Sequence, residues 1–242
     1  MTRMRQANTQ VMKIENPHVC QIIERLNRFV VLIESNEKFY RAHINNTGRL
    51  HDYLVKGRKA FCCRNENPGK TDFRLVAVEE GTQGALIDTQ FQMRALEKSL
   101  KANHIHWLMG CSISKRNARL GASLIDYLLA DEEGLVYVEV KSAVLREARY
   151  AMYPDCPSLR GQKHIREISS WVKKGRRGII VFMAALPQVE AFKPNKAADP
   201  KIYELLIKAA RVGVKVKAIS LHYNPQDSFI YLANPDLEVD LS

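Results

Sequence analysis

Residues 124–141 read LIDYLLADEEGLVYVEVK, two apolar runs on either side of an acidic break that ends in glycine. Runs rich in Leu, Val, Ile and Tyr around a short polar segment predict a β-hairpin. With 131–134 as the loop, Ala130 faces Leu135, and counting back sets Asp126 directly opposite Glu139. Residues opposite one another on antiparallel strands share a face, with Cβ atoms about 4.5–5.5 Å apart. Lys141, two residues past Glu139, points the same way. Ile125, Tyr127, Leu129, Val136, Val138 and Val140 then collect on the other face as core. A register slip of one residue would part the two acids.

Two carboxylates so close repel by on the order of 3 kcal/mol at an effective dielectric of about 20. Protonation, Lys141 or a divalent cation must compensate. Hard cations such as Mg²⁺ take one or two carboxylates together with water and phosphate. A cation there would stabilise charge on a transferring phosphoryl group while the lysine positions or helps deprotonate the attacking water, which is enough for phosphodiester hydrolysis. A Lys141–Asp126–Glu139 salt-bridge cluster on an exposed strand face satisfies the same pattern. The spacing does not choose between them.

Beyond the hairpin, Ser158 is placed to cap a helix reaching 174, with Gly175 as its stop and Ile165, Ile168 and Val172 as its buried stripe. Residues 179–186 form a continuous apolar strand of the kind buried on both faces. Asp199-Pro200 opens a further helix running to 212, and 214–223 reads as a last strand. Upstream, 91–101 is helical in composition. Helix, hairpin, helix, strand, helix, strand implies a mixed sheet flanked by helices, in the α+β or α/β class. Residues before about 80 read instead as short strands at 19–26, 29–34, 39–44, 60–64 and 73–78, with a turn at 35–37 and a short helix at 50–56. Five strands and one helix suit a small OB-type barrel, and a β-meander fits the pattern nearly as well. The glycine-rich segment 81–84 marks a boundary, dividing the chain into 1–82 and 83–242.

The 242 residues carry 37 Lys+Arg against 26 Asp+Glu, a formal charge of +11 that favours polyanions, nucleic acid first. The 46% hydrophobic content supports packed cores and argues against wholesale disorder. Five cysteines without a C-x-x-C suggest neither a disulfide framework nor a zinc site. Residues 1–13 are polar and basic without the apolar region of a signal peptide, and no apolar run approaches the ~20 residues that cross a bilayer. The expectation is a reduced, cytoplasmic protein with no membrane partner. No Walker A or G-x-G-x-x-G segment occurs, and the seven histidines, among them His104, His106 and His164, show no metal-ligand spacing.

Asp126…Glu139-Val140-Lys141 resembles the motif of PD-(D/E)xK nucleases. Several further segments resemble the sugar fermentation stimulation protein A family: Tyr153-Pro154-Asp155, Arg160-Gly161-Gln162-Lys163-His164, Asn46-Thr47-Gly48, Asn67-Pro68, Asp199-Pro200, Tyr203-Glu204-Leu205-Leu206 and Ala209-Ala210 with Gly213-Val214. The likeness runs from about Arg25 to Ala218. It implies an N-terminal OB-type barrel, a C-terminal PD-(D/E)xK nuclease-like domain, and a link to DNA and to sugar-metabolism gene regulation. By the same resemblance Asp126 and Glu139 are metal ligands, Lys141 is the catalytic lysine, Gln162 orients the water or a phosphate, and Glu97 matches the first-helix glutamate ligand. The chain departs from the family at Leu124, Ser142 and Asn45, where arginine, asparagine and proline are usual.

Nucleic-acid contacts fall on three groups. Arg25 and Arg28 lie beside the aromatics Phe29 and Tyr40, as on single-strand-binding OB surfaces. Lys115, Arg116 and Arg119 are read as lying in a loop. Arg160, Lys163 and Arg166 lie along the 158–174 helix and suit a phosphate backbone, although a solvated basic face explains them as well. The cations of 173–177 complement a helix C-terminus. These readings point to a DNA-binding protein with a Mg²⁺- or Mn²⁺-dependent nuclease site. The alternatives are a non-enzymatic DNA-binding regulator on a nuclease-like fold and an adaptor with no nucleic-acid role. Oligomeric state stays open.

Overall fold

Asn36 and Glu37 both adopt positive φ, 50° and 60°, the backbone of a two-residue hairpin turn whose twist matches its flanking strands. That turn joins two of the strands in a computed structural model describing residues 8–67 and 69–242. Pro68 of the Asn67-Pro68 element and the first seven residues of the basic N-terminal segment lie outside the described residues. The elements are β1 Thr9–Lys13, β2 His18–Arg25, β3 Val30–Ser35, β4 Lys38–His43, β5 Lys59–Arg64, β6 Phe73–Glu80, β7 Gln83–Leu86, α1 Thr89–Lys101, β8 Ser112–Leu120, β9 Ser123–Asp131, β10 Gly134–Ala143, β11 Leu145–Glu147, β12 Tyr150–Tyr153, α2 Leu159–Val172, β13 Arg177–Ala184, β14 Ala191–Pro194, α3 Pro200–Arg211, β15 Lys215–Asn224 and β16 Phe229–Val239. They divide between two units. The first takes residues up to Lys98 with Ala185–Gln188 and Ser220–Asn234, and the second takes Ser99–Ala184, Val189–Ile219 and Pro235–Ser242.

In the first unit β2 pairs antiparallel with β3 and β5, β3 with β4, and β5 with β6. The parallel pairing of β4 with β6, Ala42 against Phe73, closes the ring. Five strands joined in this way form a closed OB-type barrel, and that parallel closure excludes the meander. Alternation on β3 turns Val31 and Ile33, both fully buried, into the interior opposite Ile22 of β2 and Leu75 of β6.

The helix expected at 50–56 is absent. Leu50 sits at φ 52°, and the chain turns through Tyr53 and Leu54 hydrogen bonds to the Leu50 carbonyl before Gly57 at φ 83°. Buried Leu50 and Tyr53 fill space in the unit, so the i, i+3 apolar spacing reflects a packed turn. The segment 81–84 is the turn of the β6–β7 hairpin, with Gly81 at φ 62° and Glu80 paired to Gln83. Gly84 lies where a Cβ would come within 3.1 Å of the Tyr223 ring, so that position admits glycine because β15 passes close.

The second unit is built on the hairpin β9–β10. β8 pairs with β9 on one side, and β13 runs parallel to β10 on the other, from Val136 against Arg177 to Ala143 against Ala184. Parallel strands require a crossover, and α2 supplies it. Ser158 Oγ accepts the Gly161 N–H at 3.1 Å as the helix cap, and Asp199 caps α3 by accepting the Ile202 N–H at 3.0 Å. β13 is buried on both faces from Gly178 to Ala184. β11 and β12 pair antiparallel, and β14 lies parallel to β12 and β16. The loop expected around 115–119 is strand β8. Its exposed cationic residues and a bulge between Ile113 and Lys115 hide the alternation, which leaves Ala118 and Leu120 as its buried apolar residues. No helix among the described residues is long and apolar enough to cross a membrane.

A buried carboxylate pair on the β9–β10 hairpin

Ala130 faces Leu135, and the antiparallel register continues to Tyr127 against Val138, so the next step sets Asp126 beside Glu139. The Val140 N–H donates to Asp126 Oδ2 at 2.7 Å, which pins the aspartate at that level of the ladder. Both acids and Lys141 therefore share a face, as the two-residue period requires.

That face is not exposed. Glu139 is 1% accessible, because α2 packs against the sheet and presents His164, itself buried, to it. His164 Nδ1–H donates to Glu139 Oε1 at 2.5 Å, and Lys141 Nζ donates to the same oxygen. Glu139 Oε2 is buried and has no hydrogen-bond partner. The ion pairs thus join Glu139 to Lys141 and His164 and leave Asp126 out, so the alternative Lys141–Asp126–Glu139 cluster on an exposed face is not what forms; in so buried a setting unmade bonds cost far more.

Burial pushes the Asp126 carboxyl up to about 6, and the neighbouring Glu139 charge adds to the rise. Burial acts on Glu139 in the same sense, but the Lys141 ammonium and His164 outweigh it and hold that carboxyl below its usual value. Lys141 is held above its usual range, since Glu139 overcomes the opposing effect of burial. Glu139 is thus the persistent anion, Lys141 the persistent cation, and Asp126 the group whose charge changes nearest neutrality.

A divalent cation fits this donor set. Glu139 Oε2 is an orphaned oxygen beside a second carboxylate that is hard to ionise without a positive neighbour. Among the described residues no group of three or more His, Cys, Asp or Glu side chains is placed to hold a metal ion. An ion here would rest on the two carboxylates and complete its shell with water or substrate oxygens, as Mg²⁺ commonly does.

The other sequence-predicted site residues are dispersed. Gln162 is buried, but its amide donates to both oxygens of Asp199 at 3.1 Å and its carbonyl accepts from Arg166. It braces the α3 cap and makes no hydrogen bond to the acidic pair. Glu97 is half-buried on α1 within the first unit and joins no metal-holding group among the described residues. Arg25 donates to the carbonyls of Asn27, Arg28, Gly48 and Arg49, so its guanidinium ties two barrel loops together. Arg28 lies 5.9 Å from the centre of the Phe29 ring, which is 49% exposed, while Tyr40 packs edge-on against Phe73. Lys115, Arg116 and Arg119 are exposed along β8. Arg160 is exposed on the first turn of α2, and Lys163 donates to the Ala122 carbonyl at 2.8 Å.

His164, which shows no metal-ligand spacing in the sequence, is the buried partner of Glu139. Its signal was present: with Ser158 as cap, residues 161, 164, 165 and 168 fall on one stripe, and all four are buried. Gly161 has a steric reason, since a Cβ there would stand 2.6 Å from the Tyr153 hydroxyl and 3.2 Å from Ile202. Asn45, which departs from the resembled pattern, accepts the Thr89 N–H and donates to Asp88, bracing the start of α1. Leu124 is 50% exposed two residues before Asp126.

Residues 23–87 match the family model for the SfsA N-terminal OB domain, and residues 90–227 match that for the sugar fermentation stimulation protein RE domain. A sugar fermentation stimulation protein homolog of Pyrococcus furiosus is 44% identical over 230 residues, covering 95% of this chain and 100% of that protein. A homolog from Archaeoglobus fulgidus is 42% identical, covering 95% of this chain and 99% of its own. The solved structure of Pyrococcus furiosus SfsA in complex with Ca²⁺ superposes with a TM-score of 0.92 at 43% identity, over 96% of this chain and 99% of that one. On these matches over both units, the chain belongs to the sugar fermentation stimulation protein family.

Proposed function

We propose that this chain is a DNA-binding protein that hydrolyses phosphodiester bonds at Asp126, Glu139 and Lys141 with Mg²⁺ or Mn²⁺ bound. The observation that carries the reading is the buried, unpartnered Glu139 Oε2 beside an aspartate kept protonated to about 6. Such an arrangement is strained without a cation and relieved by one. The Ca²⁺ complex of the Pyrococcus furiosus relative supports a hard-cation site in this family. The excess of 37 Lys+Arg over 26 Asp+Glu supports a polyanionic substrate.

When bound, the ion would supply Lewis-acid stabilisation of a phosphoryl oxygen and lower the pKa of attached water. Asp126 and Glu139 would hold it. His164 fixes the Glu139 carboxylate from the α2 side, so the oxygen left over faces away from the helix bond. Lys141 is held as an ammonium. Its role is therefore that of a charged donor, orienting the attacking water or countering charge on the phosphate, and not that of a base. Calorimetric titration with Mn²⁺ and cleavage of plasmid and oligonucleotide DNA test the reading. We expect binding and metal-dependent nicking in the native chain, both lost in Asp126→Asn. Absence of nicking with any divalent metal would remove the enzymatic claim.

One observation favours the regulator reading, in which DNA is bound without cleavage. Lys141 and His164 already satisfy one Glu139 oxygen, so the cluster has a metal-free way of balancing charge. That reading expects DNA binding that falls steeply with salt and is indifferent to Asp126→Asn and to chelator.

A further inference from the structure

On the outer side of α2 and α3 a cleft of about 430 Å³ opens, lined by Arg166, Ser170, Lys173, Leu205, Lys208 and Arg211 among others, with no acidic residue in its wall. Lys173 caps the C-terminus of α2, and Lys208 and Arg211 lie in the last turn of α3. Cations at helix C-termini complement the dipole, but each helix end amounts to only about half a negative charge. Two ends offset roughly one of the four cations. Among the described residues Lys173 and Arg211 have no ion pair, and Lys208 meets Glu204 only at 4.0 Å, with side chains 66% and 51% exposed. Such a pair contributes little. An excess of roughly three positive charges is left in one cleft.

Arg166 stands well before the helix end, so the dipole does not explain it. Its Nη2 donates to the Gln162 carbonyl at 3.1 Å, which steadies the guanidinium and leaves its other N–H groups for a ligand. The seven helical steps from Arg166 to Lys173 span about 10 Å along the axis, more than one phosphate occupies. We propose that this cleft is an anion site for two neighbouring phosphate groups. They could come from a free oligophosphate, such as pyrophosphate or a nucleoside triphosphate, or from successive phosphates of a nucleic-acid strand. The Arg166 and Arg211 guanidiniums offer paired N–H donors to phosphate oxygens, the Ser170 hydroxyl adds a neutral donor, and Leu205 supplies an apolar wall.

The site does not depend on the carboxylate pair, so it is tested in chelator, where no cleavage reading intervenes. The full chain is titrated at low salt with pyrophosphate and, separately, with a single-stranded oligonucleotide. The variants are Arg166→Gln/Arg211→Gln and Lys173→Gln/Lys208→Gln, with Lys98→Gln/Lys101→Gln on α1 as a charge-matched control. All six positions are exposed, so folding is expected to survive, and thermal unfolding verifies it. Each cleft pair should weaken at least one ligand by tenfold or more, against less than twofold for the control. Loss confined to pyrophosphate assigns the site to free oligophosphates, and loss confined to the oligonucleotide assigns it to a strand. Overturning results are a control that weakens binding as much as the cleft pairs, or titrations in which neither cleft pair changes either ligand's affinity.

Discussion

Asp126→Asn should make the metal-free protein more stable at neutral pH, although it removes a carboxylate from the candidate site. Burial and Glu139 raise the Asp126 carboxyl from 3.8 to about 6, so the folded chain holds this proton more tightly than the unfolded chain does. Between about pH 4 and 6 folding therefore takes up a proton, and the stability from this group falls as pH rises through that window. The sign is opposite to that of an ordinary salt-bridged aspartate. A shift of about two units at 1.36 kcal/mol each gives about 3 kcal/mol. The carboxyl keeps some solvent contact, so about 2 kcal/mol is a fair expectation. Asparagine keeps an acceptor for the Val140 N–H and carries no charge at any pH. Urea unfolding in EDTA should then show the variant matching the native chain near pH 3.5 and exceeding it by about 2 kcal/mol at pH 8. Saturating Mg²⁺ should narrow the gap by stabilising only the native chain. A difference that stays flat from pH 3.5 to 8 would refute the assignment of Asp126 as the strained member of the pair.

Glu139→Gln should behave in the opposite way, since it strands the buried Lys141 ammonium without its anion. Removing one partner of such a pair destabilises by about 3–5 kcal/mol, read as a lower urea midpoint at pH 7. Arg25→Ala should lower the stability of the barrel by about 2 kcal/mol through loss of its four carbonyl bonds, and lysine should not rescue it, because a single ammonium cannot reach both loops. Gly161→Ala should destabilise by about 1–3 kcal/mol through overpacking against Tyr153 and Ile202, which differential scanning calorimetry would register as a lower transition.

The hairpin was legible because its two-residue alternation is unbroken and its acidic break is short, so the register followed by counting. The barrel strands were legible for a related reason: turn residues such as Asn36 punctuate them, and their inward positions carry Ile, Val and Leu. β8 was hidden by the lack of apolar alternation on an edge bearing Lys115, Arg116 and Arg119. Residues 50–56 misled because Leu50, Tyr53 and Leu54 stand at helical spacing while the backbone at Leu50 is left-handed. Local pattern could place Ser158 and Asp199 as helix caps, since a cap acts within three residues. It could not show Gln162 spanning 37 residues to Asp199, because that bond depends on two helices packing side by side.

The burial of the pair also bears on which reading of the site is physically consistent. Glu139 and Lys141 cancel, so ionisation of Asp126 adds one negative charge to the cluster. Below about pH 6 that charge is absent. Above it the added negative charge is held beside α2, and a phosphodiester approaching that face would meet its repulsion in a medium that screens poorly. A dication reverses the sign and leaves one positive charge for a singly charged phosphodiester. A protein that only bound DNA would do better with Asn at 126, whereas a metal-dependent hydrolase requires the acid and accepts its destabilisation. DNA affinity in chelator at pH 8 is therefore expected to rise in Asp126→Asn, and nicking activity with Mn²⁺ to vanish in the same variant. Unchanged affinity together with retained nicking would place the phosphate-binding face elsewhere on the molecule.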